Sequence, residues 1–157
     1  MHLFSAECTS SFEFKSKLVC TMGLKERRFA KQFAEEQFPA LEAKIKEAIG
    51  FEVPLEIAWE TLFEEQFLHL YNDTYPKIYF IPFIEAFKII GKDQIGKEAL
   101  QEGIQRIEIC NENNHHNPDR AYSLESGILK LDHSPVLNAE QVDDRIESLV
   151  KLLENQL

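Results

Sequence analysis

The sequence predicts a single α+β domain in which about four antiparallel strands carry several helices on one face. Three observations predict it. Segments with apolar residues at helical spacing are interspersed with short stretches of period-two alternation. The alternating stretches put polar residues on their second face, as strands with one wet side do. No internal repeat, low-complexity tract or linker divides residues 1–157, and a chain of that length buries roughly 68–70% of its unfolded surface around one core.

In chain order, residues 11–22 of SSFEFKSKLVCTMG read two ways. Phe12, Phe14, Leu18 and Cys20 alternate as in a strand, whereas Phe14, Leu18 and Met22 recur at helical spacing between a Ser cap and Gly23. The helical reading is preferred. From Leu24 to Ile49, Phe29, Phe33, Leu41, Ile45 and Ile49 return at multiples of four among charged residues, which makes a long amphipathic helix. Pro39 forces a kink or a restart with the proline in the first turn, and Gly50 ends the helix.

PLEIAWE, Pro54 to Glu60, alternates Leu55, Ile57 and Trp59 against Glu56, Ala58 and Glu60, and predicts a strand with one wet face. Thr61 and Glu64 match a capping box, predicting a helix to about Tyr71 before a turn at YNDTYP. Pro82 suits the first turn of the next helix, whose Phe83, Ile84, Phe87 and Ile90 cover so much of its circumference that it must be buried on most sides. Gly91 ends it, Asp93 caps a following helix with Ile95, Ala99, Leu100 and Ile104 on one face, and RIEIC, Arg106 to Cys110, is a second strand.

RAYSLESGILKLDH, Arg120 to His133, is a β-hairpin about Ser126-Gly127. A two-residue turn sets Leu124 opposite Leu129 and Tyr122 opposite Leu131, and burying that matched face outweighs the Arg120–Asp132 ion pair offered by a longer turn. A last helix starts at about Ala139, capped by Asn138, and turns Val142, Ile146, Leu149, Val150 and Leu153 inward. Glu56, Glu60, Glu108, Ser123, Lys130 and Asp132 are left to line the open face of the sheet.

With 17 basic and 27 acidic residues the net charge is −10, which repels a phosphate backbone or an anionic membrane. The basic stretch GLKERRFAK runs into Glu35, Glu36 and Glu42 and reads as a solvated helix face. Neither nucleic acid nor membrane is an expected partner. IYFIPFIEAFKII is too short to span a bilayer and contains Glu85 and Lys88, and MHLFSAECTSSFEF has no signal-peptide pattern. Cys8, Cys20 and Cys110 form no C-x-x-C pair, which fits reduced thiols and a cytoplasmic location.

The one stretch with chemistry in it is NENNHHNPDR, residues 111–120. Adjacent side chains diverge on any regular backbone, and no His pair stands at the i, i+4 spacing of helical metal sites. The hairpin register sets His133 opposite Arg120, where this loop arrives, so His115 or His116, Asp119 and His133 could converge on a metal or an acid/base site. Against that, Asn, His, Pro and Asp are ordinary loop formers, and the loop reading is preferred. Cys20 and Cys110 lack the basic neighbours that stabilise a thiolate. GKDQIGKEA lacks phosphate-loop spacing. The carboxylate pairs Glu35-Glu36, Glu64-Glu65 and Asp143-Asp144 suit solvated helix surfaces.

These readings lead to an expectation of a cytoplasmic acidic protein-binding module, an adaptor, regulator or immunity-type protein without catalytic activity, cofactor or metal. Its partner would be another protein, basic in character, met through Glu56, Glu60 and Asp132. The alternative is a small metal-dependent or acid/base enzyme using His115, His116, Asp119 and His133.

Overall fold

The computed structural model describes residues 22–157, the side chain of Glu65 apart. Cys8, Cys20 and the ambiguous segment 11–22, except Met22, lie outside the described residues. The chain is a mixed α+β protein: helices α1 (Leu24–Glu36) and α2 (Phe38–Ile49), strand β1 (Leu55–Ile57), 3-10 turns at Trp59–Thr61 and Glu65–Phe67, helix α3 (Tyr71–Tyr75), a π-helical turn (Pro76–Phe80), helices α4 (Ile81–Ile90) and α5 (Gln94–Gly103), strand β2 (Arg106–Cys110), the one-turn helix α6 (Pro118–Ala121), strands β3 (Tyr122–Glu125) and β4 (Ile128–Asp132), and helix α7 (Val142–Gln156).

Helix punctuation falls where the residues require it. The long N-terminal helix breaks at Gln37 and restarts with Pro39 in its first turn, and Gly50 closes it at φ 88°. Asp93 caps α5 by accepting from the Gly96 amide at 2.8 Å. The hairpin takes the two-residue turn, pairing Tyr122 with Leu131 and Leu124 with Leu129, and Ser126 and Gly127 both have positive φ, as a primed turn demands.

The sheet differs from expectation in direction. Its order is β1-β2-β4-β3, and only β3 and β4 are antiparallel; β1 pairs with β2, and β2 with β4, in parallel. Alternation reports which side of a strand is covered, not which way its neighbour runs. Direction is set here by the helical crossover from β1 to β2, which returns the chain to the starting end of the sheet. Leu55, Ile57, Ile107, Ile109, Leu129, Leu131, Tyr122 and Leu124 face the helices, and Ile57, Ile107, Ile109, Leu129 and Leu131 join Phe83, Phe87, Leu149 and Leu153 in the core.

Three local expectations also fail. The strand at PLEIAWE stops at Ile57, and Trp59 turns into an aromatic cluster against Phe33, Phe38 and Phe63 with ring centroids 5.8 to 6.4 Å away. Thr61 starts no helix: its hydroxyl donates to the Ala58 carbonyl at 2.7 Å and accepts from the Asn111 amide at 2.9 Å. YNDTYP is helical, because Tyr71 and Tyr75, one turn apart, stack at 4.6 Å and bury their rings against Phe29 and Phe63. Burial of that much aromatic surface exceeds the turn preference of Asn72, Asp73 and Pro76. Pro76 lacks an amide and crowds the turn before it, and the helix widens into its π-helical turn there.

Candidate functional site

Residues 111–121 sit at the carboxyl ends of the parallel strands, and their polarity is largely consumed in holding them there. Asp132, 6% exposed, accepts from the Glu112 amide at 2.8 Å, the Asn113 amide at 3.2 Å and Asn113 Nδ2 at 2.6 Å. Asn111 Oδ1 takes the Asn114 amide, and Asn117 Oδ1 caps α6 through the Asp119 amide. The Ser134 amide donates to the His115 carbonyl at 2.7 Å, and Asn138 Nδ2 to the His116 carbonyl at 2.8 Å. Asn138 is therefore a tie between two loops, with φ 53°, and the C-terminal helix starts only at Val142 rather than at Ala139.

Beneath this rim lies a residue that the sequence reading passed over. Arg145 is 0% exposed. Its guanidinium donates to the carbonyls of Asn138, at 2.8 Å, of Ala139, and of Lys77 in the π-helical turn, at 3.3 Å. Among the described residues it has no carboxylate partner within salt-bridge distance, and burial lowers its pKa. A signal was present: Arg145 stands one turn before Leu149 and two before Leu153, on the innermost line of the helix.

His133 is also wholly buried. Its Nδ1 lies 2.6 Å from the Ser134 carbonyl, which can only accept, so Nδ1 carries the proton and Nε2 is bare and unpartnered. Burial first, then the charge of Arg145 and the neighbouring His116 and His115, lowers its pKa to about 4. It is a neutral core histidine whose backbone carbonyl takes the Tyr79 hydroxyl at 2.7 Å.

His116 and Asp119 line a cleft of about 570 Å³ together with Asn138, Asp144, Ser148 and Lys151, and Ser148 Oγ donates to Asp119 at 2.8 Å. His115 and His133 are not among the lining residues. Among the described residues, the three ligand atoms gathered within 4.8 Å of one another are those of Cys110, Glu112 and Asp132, and none of the four nominated residues is in that set. This set fits an ion poorly. Both Asp132 oxygens already accept N–H groups, Lys130 Nζ holds Glu112 at 3.0 Å, and burial followed by the Asp132 carboxylate pushes the Cys110 thiol up to about 12.

The open face of the sheet is arranged otherwise. Strand register places Glu56, Glu108, Lys130 and Ser123 in one row across it. Arg106 reaches Glu108 at 2.7 Å and Glu56 at 3.7 Å, and the Glu56 side chain remains 58% exposed. Glu56, Glu108 and Glu125 there outnumber Arg106 and Lys130. Of the surface residues expected from sequence, Glu56 stands on this face, Glu60 sits in the 3-10 turn with Oε2 buried and unpartnered, and Asp132 is buried beneath the loop.

Fold and site together define an α+β protein with a mostly parallel four-stranded sheet, a polar loop rim and one open acidic sheet face. Compared with protein-family models, curated proteins and solved structures, the chain matches none. Among the described residues no helix is long and apolar enough to cross a membrane.

Proposed function

We propose that this chain is a protein-binding module that meets a basic partner on the open face of its sheet, as an adaptor, regulator or immunity-type protein does. The observation that carries the reading is the row of half-exposed charges at Glu56, Glu108 and Lys130, which are paired only with other side chains. Such groups exchange partners at little cost, whereas a carboxylate already holding backbone amides does not. The acidic surplus on this face, added to a net charge of −10, speeds encounter with a basic surface and disfavours acidic ones. A cytoplasmic setting is part of the proposal, supported by the buried free thiol of Cys110.

The test is capture of partners by the tagged full chain from lysate of its own source at low and moderate salt. A stoichiometric basic protein released as salt rises is the expected result. A partner retained unchanged in moderate salt, or one of acidic character, would overturn the electrostatic face as the binding surface.

One observation favours a second reading, acid/base or metal chemistry in the cleft: His116, Asp119 and Ser148 share it, and Ser148 is bonded to Asp119. A divalent ion bound there raises Tm by mass action, and the His116→Ala substitution removes that rise. Absence of any rise across zinc, manganese and magnesium would sink the metal form of this reading.

A further inference from the structure

Among the described residues β1 is an edge strand, and none of them pairs with its outward side. The Ile107 amide donates to the Pro54 carbonyl and the Ala58 amide to the Ile109 carbonyl, so Pro54, Glu56 and Ala58 turn their backbone groups towards β2. By the alternation of a strand, Leu55 and Ile57 turn their N–H and C=O groups away from the sheet. No described residue bonds them. A row of unpaired donors and acceptors at a sheet edge is a template for another extended chain.

The surroundings say what kind of chain. Glu52, with its side chain 86% exposed, precedes the strand and Glu56, 58% exposed, stands at its centre. Glu60 follows it with one carboxylate oxygen buried and lacking a donor. Lys46 and Arg106 only partly offset this charge, each shared between carboxylates. On the other side of the pleat, Leu55 is half-buried and Ile57 belongs to the core. A strand laid beside β1 shares its pleat. Its side chains next to Glu56 then meet carboxylates, while those next to Leu55 and Ile57 meet apolar surface.

We propose that β1 is a docking edge, to which an extended segment of a partner protein with alternating basic and apolar side chains adds as a further strand of the sheet along Leu55–Ile57. This rests on the protein-binding reading and gives it a partner chemistry and a geometry.

Residue-resolved amide exchange of the full chain tests it, with two synthetic octapeptides of equal charge as probes, one alternating Lys with Val and one alternating Lys with Pro. In the free protein the Leu55 and Ile57 amides exchange at least about tenfold faster than those of Glu56 and Ala58. The Lys-Val peptide slows Leu55 and Ile57 by about tenfold or more, and the Lys-Pro peptide, which lacks alternate amide donors, does not. Protection of Leu55 and Ile57 already in the free protein would overturn the proposal, because another part of the chain or a second copy then holds the edge. Equal binding of the two peptides without protection would also overturn it, while leaving an acidic binding face in place. Binding of neither peptide refutes the basic extended partner, and lysate capture then decides the wider reading separately.

Discussion

The loop at residues 111–121 and the open sheet face look alike in composition, each being rich in polar and charged groups, yet they spend those groups differently. In the loop region, Asp132, Asn111, Asn117, Asn138 and Thr61 are engaged with backbone amides and carbonyls, and the buried Arg145 holds three carbonyls from two segments. On the sheet face Arg106 holds Glu56 and Glu108, and Lys130 holds Glu112 of the adjoining loop, all through side chains near the surface. A polar group bonded to backbone in the interior is costly to remove and unavailable to a ligand. A surface ion pair is worth little to stability and is free to change partners. Polarity in a sequence therefore marks a functional surface only where the backbone has not already claimed it.

Substitutions should separate the two regions by size of effect. Arg145→Ala is expected to be the most damaging, costing about 3 kcal/mol or more, because three part-buried carbonyls lose their donor and a cavity opens beside Leu149 where the buried side chain stood; chemical denaturation measures it, and a loss under about 1 kcal/mol would show that the rim does not depend on Arg145.

Protonation of His133 comes next. Its folded pKa of about 4 lies below the unfolded value of about 6.5, so the unfolded chain binds the proton more readily. The neutral form's contribution is complete above pH 6.5, declines as pH falls, and is gone below about pH 4, for a total of about 3 kcal/mol. His133→Phe should flatten the stability profile between those limits, and a profile equally steep in the variant would assign the slope to other groups.

Asp132→Ala strips the acceptor from three N–H groups and is expected to cost about 2 kcal/mol, with faster exchange of the Glu112 and Asn113 amides as a local readout. On the other region, the Glu56→Gln, Glu108→Gln double substitution should change stability by no more than about 0.5 kcal/mol. A large loss there would erase the distinction between claimed and free polar groups.

How far the sequence revealed these regions follows the same division. Helix ends set by Pro39, Gly50, Gly91 and Asp93, and the hairpin register set by Ser126-Gly127, are local decisions and were legible. Strand direction was not, because it depends on a crossover spanning residues 58–105 rather than on any residue within β1 or β2. Tyr71 and Tyr75 override a turn-like segment only because Phe29 arrives from a distant helix to cover them. The open face was partly legible: alternation placed Glu56, Glu108, Ser123 and Lys130 on it correctly, but nothing local distinguishes Asp132, which follows the same alternation and is buried by the loop that bonds to it. Arg145 was missed because a charged residue in an acidic helix reads as solvated, although its position on the Leu149–Leu153 line argued otherwise.

The most direct measurement compares partner capture by the wild-type chain with capture by two variants of matched stability, Glu56→Gln, Glu108→Gln on the sheet face and His116→Ala, Asp119→Ala in the cleft. If the open face is the binding surface, the sheet variant loses the partner at least about tenfold, a change of about 1.4 kcal/mol, and the cleft variant retains it. Retention by the sheet variant with loss in the cleft variant would contradict the account and transfer the function to the loop.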